Sequence, residues 1–134
     1  MTPIVFEAPI TIEPGDIDGL GHVNNVVYLR WAQEVATAHW RHQATPEQQE
    51  AYVWVVLRHE IDYLAPALPG DQLVARTHVG AATGARFQRT VEIHRPSDAR
   101  LLARCLSTWA ALDPRTGRPR RVAESLLARF SAPE

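Results

Sequence analysis

Two carboxylates, an imidazole and two amides crowd the run Asp16-Ile17-Asp18-Gly19-Leu20-Gly21-His22-Val23-Asn24-Asn25. Gly19 and Gly21 let the backbone of this segment bend sharply and approach another group. Beyond it, Val27, Leu29, Trp31, Ala32, Val35, Ala36 and Ala38 are interleaved with Arg30, Gln33, Glu34 and Thr37, a pattern that predicts an amphipathic helix. Asn24 is then the helix N-cap. The first N–H groups of a helix have no internal partner, and its dipole favours negative charge, so a developing oxyanion is stabilised there. An aspartate is ordinarily ionised at neutral pH, and Asp18 lies close enough in sequence to fold back towards that spot. A carboxylate beside free N–H donors can attack a carbonyl or activate water against it.

Each residue also has a plainer reading. Asp18 and Asp16 fit Asx turns beside glycine. His22 either hydrogen-bonds a reacting oxygen or Asp18, or shapes the turn. Asn24 caps the helix, and Asn25 either offers its backbone N–H to a substrate or belongs to an ordinary cap. Trp31 reads as core, and Tyr28, three residues before it, as core and as wall of a substrate pocket.

The spacing Asp18-x-x-x-His22-Val23-Asn24-Asn25-x-x-Tyr28-x-x-Trp31 resembles the signature of hotdog-fold acyl-CoA thioesterases of the 4-hydroxybenzoyl-CoA thioesterase type. Its His-Val-Asn-Asn core is also similar to plant acyl-ACP thioesterases. The likeness continues through Glu60-Ile61-Asp62-Tyr63-Leu64-Ala65-Pro66 with Gly70-Asp71, and through Asp113-Pro114-x-Thr116-Gly117-Arg118-Pro119. The resemblance implies a hotdog fold, an antiparallel sheet wrapped around a central helix. It implies hydrolysis of an acyl-CoA or acyl-ACP thioester, with Asp18 as nucleophile or general base, His22 and the Asn25 N–H assisting, and Asn24 and Tyr28 against the substrate. It implies no cofactor and no metal, and a homodimer or homotetramer. One departure is plain: Leu20 stands where the plant enzymes place an asparagine. Two other readings stand beside this one, a hotdog hydratase or dehydratase acting on acyl thioesters, and a hotdog protein that binds acyl thioesters without turnover.

The elements that must position these residues are read as follows. Ile4 to Ile12 predicts a strand, Asn24 to about Arg41 the central helix, and residues 43 to 50 a loop or short helical turn. Tyr52 to Leu64 predicts a second strand. Leu73 to Val79 and Phe87 to His94 predict a hairpin around the small-residue loop from Gly80 to Gly84, whose Thr83 and Gly84 are candidate ligand contacts. In its second arm Phe87, Arg89, Val91 and Ile93 share one face. Leu101 to Leu112 predicts a further strand, and the stripe Val122, Leu126, Leu127, Phe130 a terminal helix. The class is α+β, one domain over residues 1–134.

Composition narrows the partners. A formal net charge of −1 argues against nucleic acid, and no segment has the length of a membrane span. No secretory signal is read at the N-terminus, so the expected location is cytoplasmic. Cys105 is the only cysteine, reads as a buried core residue, and excludes an intramolecular disulfide or cysteine-rich zinc site. The six histidines show no metal-ligand spacing. Arg115, Arg118, Arg120 and Arg121 form a basic cluster that reads as a solvated face or as a grip for CoA phosphates.

Overall fold

The computed structural model describes residues 2–132. Asn24 does cap the central helix: its backbone is extended, with φ −62° and ψ 140°, and its side chain accepts the Val26 N–H. From there α1 runs over Asn25–Gln43 and buries Val27, Tyr28, Trp31, Ala32, Val35, Ala36 and His39 along one side. Tyr28 and His39 thus join the buried stripe, while Leu29 and Ala38 sit at its margins. Pro46 cannot continue the helix, and Thr45 and Gln48 form a capping box that opens a short α2, Pro46–Ala51.

The sheet is antiparallel throughout, with strand order β2-β4-β5-β6-β3. Its strands are β2 (Phe6–Ile10), β3 (Val53–Tyr63), β4 (Leu73–Thr83), β5 (Arg86–Arg95) and β6 (Arg100–Leu112). β1 (Thr2–Pro3) and β7 (Ser131–Ala132) pair with each other apart from this sheet. The first strand is therefore shorter than Ile4 to Ile12, since Ile4 instead donates its N–H to the Phe130 carbonyl. The terminal stripe folds as a single short turn, α3 (Glu124–Leu127), followed by a 3₁₀ turn, Ala128–Phe130.

The hairpin corrects the sequence reading. Gly80 to Thr83 are strand, not loop, and the chain reverses at Gly84 (φ +61°) and Ala85. The register shifts between Val79 and Ala82, so Gly80 sits in a bulge of β4.

α1 lies across the face of the sheet that carries Leu73, Ala75, Val91 and Ile93. The core divides along the helix. Its N-terminal half packs with those residues and Leu102, Ala103 and Cys105, and its C-terminal end packs Trp40 against Tyr52, Phe87, Val122 and Phe130. Cys105 is buried, as expected, and burial raises its thiol pKa. No helix among the described residues is long and apolar enough to cross a membrane.

Candidate active site

The segment before α1 is clamped as a narrow two-stranded ribbon. The Asn24 N–H donates to the Asp16 carbonyl at 2.8 Å, Ile17 bridges Val23, and the Asp18 N–H donates to the His22 carbonyl at 2.8 Å. Gly21, at φ +77°, closes the tip by donating to the Asp18 carbonyl. Val23 is buried in the core, which anchors the ribbon, and its N–H donates to the Ala67 carbonyl. Asp18 thereby stands opposite His22, at a fixed distance along the backbone from the helix cap.

The Asp18 carboxylate is divided between two tasks. Oδ1 accepts the Leu20 N–H at 2.9 Å and the His22 N–H at 3.4 Å, an Asx turn. Oδ2 accepts no hydrogen bond among the described residues, so one oxygen holds the loop and the other is left without a partner there. The His22 imidazole makes no hydrogen bond among the described residues and is half-buried. Asp16 is a turn residue, as expected, at the end of the 3₁₀ turn Pro14–Asp16, and an ion-pair partner besides. It is buried, accepts the Glu13 N–H on Oδ2, and pairs with Arg30 Nη2 at 3.0 Å on Oδ1. Arg30 in turn reaches Glu34 one helical turn on.

At the helix start the side chain of Asn24 takes the Val26 N–H at 3.1 Å, and the Asn24 carbonyl takes the Val27 N–H at 3.0 Å. The exposed N–H of Asn25 has no acceptor among the described residues. It is the donor the first turn leaves open. The Asn25 carbonyl receives the hydroxyl of Tyr63, from the end of β3.

The other candidates fall elsewhere. Tyr28 is buried, its ring meeting Trp31 and Tyr63 edge-on and its hydroxyl accepting the Ala67 N–H at 3.0 Å, which fixes the loop that holds Val23. Thr83 and Gly84 are exposed at the hairpin tip, where the Gly84 carbonyl binds the Val122 N–H beside the C-terminal end of α1. Within one chain they are therefore not brought to Asp18. Arg120 stacks over Tyr52 and donates to the Ala51 carbonyl, while Arg115 and Arg118 are exposed.

Two polar groupings escaped the sequence reading. Under α1, Arg89 Nη1 donates to His39 Nδ1 and to Thr77 Oγ1, each at 3.0 Å. Burial, with Arg89 beside it, lowers the His39 pKa to about 4. Further along the sheet, His59 Nδ1 meets Ser107 Oγ at 2.6 Å, with Cys105 Sγ at 3.4 Å from the same oxygen. Both groupings join residues far apart in sequence; the inward alternation of Arg89 with Phe87 and Val91 was the one local sign. No group of three or more His, Cys, Asp or Glu among the described residues is arranged to hold a metal ion.

Residues 12–130 match the family model described as the thioesterase-like superfamily. The chain belongs to that superfamily. Thioester hydrolysis is the class of reaction this membership carries, and the sheet with its central helix is the hotdog arrangement. The chain is 26% identical to the acyl-CoA thioester hydrolase YbgC of Escherichia coli, over 97% of this chain and 98% of that one. Slr0204 of Synechocystis, a 1,4-dihydroxy-2-naphthoyl-CoA thioesterase, superposes with a TM-score of 0.81 at 21% identity, covering 94% of this chain and 95% of that one. A Thermus thermophilus thioesterase, solved with coenzyme A and zinc, superposes at 0.81 with 25% identity, covering 92% and 90%.

Proposed function

We propose that this superfamily member hydrolyses an acyl-CoA thioester to the free acid and CoA thiol at the ribbon of residues 16–25. The observation that carries the reading is the presence, in one clamped loop, of a carboxylate oxygen and a helix N–H that both lack a partner among the described residues. The thioester oxygen accepts the Asn25 N–H, which stabilises the negative charge that builds there as the carbonyl carbon becomes tetrahedral. Asp18 either takes a proton from the attacking water or attacks the carbonyl itself, forming an anhydride that water then opens. In both routes the C–S bond breaks, the sulfur leaves with the electron pair, and the proton that water loses ends on the thiolate. In this reading His22, across the ribbon, donates to the oxygen or to the leaving sulfur. The choice of CoA as carrier is supported by the activity named for YbgC and by the ligand in the Thermus structure.

The working unit in this proposal is a two-fold dimer through β3. The opposite edge of the sheet, β2, spans only five residues and carries Pro9. β3 spans eleven, without proline, and Val53, Leu57 and Tyr63 on it and Leu64 just beyond it are exposed. A long unpaired edge with apolar side chains favours association.

The test is hydrolysis of short, medium, long-chain and aromatic acyl-CoAs with free-thiol detection, on the native protein and on D18N. Asparagine keeps an Oδ1 for both turn hydrogen bonds and removes the charge, so D18N folds with an unchanged melting temperature. Its kcat on the preferred substrate drops by at least about 10². A D18N enzyme within a few-fold of native kcat refutes the role of Asp18.

A further inference from the structure

A second concave site lies at the other end of α1. A cavity of about 240 Å³ is walled by Trp40, Trp54, Phe87, Trp109 and Phe130 and includes Arg89. An engineered cavity of about 150 Å³ already holds benzene, so this one has room for a substituted ring or a short chain. Its polar inventory is one-sided. Arg89 Nε, Trp54 Nε1 and Trp109 Nε1 are buried donors without an acceptor among the described residues. Arg89 is only 3% exposed, and its hydrogen bonds go to two groups that carry no negative charge, His39 and Thr77. Burial lowers its pKa to about 10, which leaves it charged near neutral pH. A buried cation without a carboxylate beside it, among donors that lack acceptors, is a costly arrangement that an anionic oxygen would complete.

Along one helix this cavity is out of reach of the hydrolytic loop. Asn25 and Trp40 are fifteen residues apart, about 22 Å of helix axis. Pairing β3 with its own copy about a two-fold axis, using the whole strand, changes this. Val53 then lies opposite the partner subunit's Tyr63, and Tyr63 is the residue whose hydroxyl holds the Asn25 carbonyl. Trp54, next along β3, lines the cavity. In that dimer each cavity would sit beside the helix N-terminus of the other copy.

We propose that this cavity receives the acyl group of the thioester held at the partner's Asn25, that it selects acyl groups with a carboxylate at their far end, and that Arg89 determines that selectivity. The proposal rests on the dimeric hydrolase reading above. The aromatic walls hold the body of the acyl group, and the Arg89 guanidinium meets its terminal oxygens.

The test compares matched pairs on the native dimer: hexanoyl-CoA against adipoyl-CoA, and benzoyl-CoA against 4-carboxybenzoyl-CoA. The carboxylated member of each pair is expected to have a kcat/KM at least about tenfold higher, as befits a charge-assisted contact made only by that member. In R89M the ratio falls to near one, whatever happens to the absolute rates, and R89K retains part of it. Should R89M fail to fold, R89K carries the test, with a ratio between the native value and one. Terephthalate gives a readout free of turnover: it quenches the tryptophan fluorescence of D18N, and the quench weakens when R89K is added to that variant. Equal kcat/KM within both pairs, or a preference that survives in R89M, overturns the proposal while leaving the hydrolase intact. No hydrolysis of any of the four, beside turnover of another acyl-CoA, overturns this proposal alone, whereas no hydrolysis across the whole acyl-CoA screen overturns the hydrolase reading and this one with it.

Discussion

Asp18 carries two readings at once, and the geometry reconciles them. Its Oδ1 holds the turn, and its Oδ2 is the oxygen that the proposed mechanism uses. The same economy appears at Asn24 and Asn25, where one side chain satisfies Val26 and the next residue's N–H is left open. That open donor is backbone, so no side-chain truncation reaches it, but proline at position 25 does. Proline suits the first helical position, and it requires an extended residue before it, which Asn24 already is at ψ 140°. N25P therefore folds, and the Tyr63 hydroxyl keeps its carbonyl acceptor. Its kcat on the preferred acyl-CoA is expected to fall by about 10²–10³, the range for a lost oxyanion donor, while N25A keeps most activity. Equal turnover by two folded variants would remove Asn25 from the mechanism.

At the scale of elements, what could be read from the sequence is what is local. The cap at Asn24, the strand from Val53 to Tyr63 and the long apolar strand around Cys105 follow from neighbours in the chain. The hairpin was misread because Gly80 looks like loop punctuation, whereas its position is set by a neighbouring strand. A Cβ there would stand 3.4 Å from the Gln88 carbonyl oxygen. The aromatic cavity draws on α1, β3, β5, β6 and the C-terminal segment, so no local pattern announced it. The Arg89–His39 contact between helix and sheet gives a pH dependence whose sign can be worked out. His39 Nδ1 accepts from Arg89 and must be unprotonated to do so. Its pKa drops from 6.5 in the unfolded chain to about 4 in the fold, because of burial first and the positive Arg89 second. Between those values the unfolded state binds more protons, so stability is complete above pH 6.5 and declines as pH falls towards 4. His59, also lowered by burial, adds to the same slope. The melting temperature should drop across this window in native protein and drop less in H39Q. A flat profile from about pH 7 to 4 would contradict the neutral buried His39.

For the whole molecule the question is where the site ends. A single chain leaves the loop of the proposed site on an open surface, with Leu20 81% and Val26 67% exposed beside it. The same side of the molecule carries the unpaired edge of β3, because Tyr63 at the end of that strand touches Asn25. In the proposed dimer, association through β3 covers the strand edge and encloses the loop together. Leu57 is the sensitive point. It is 49% exposed, lies where the β3 register shifts, and sits near the middle of the strand, so a two-fold axis brings it close to its own copy. L57D places two carboxylates near each other across that axis and removes two apolar contacts, yet disturbs no buried residue of the single chain. Native protein should sediment as a dimer or larger at micromolar concentration, and L57D as a folded monomer with the native far-ultraviolet spectrum. Because the acyl pocket of each site is assigned to the other copy, L57D should also lose acyl-CoA hydrolysis by at least about tenfold, recovering as protein concentration is raised. A native monomer, or a monomeric L57D with full activity, would place the complete site within one chain and dissolve the link between β3 pairing and turnover.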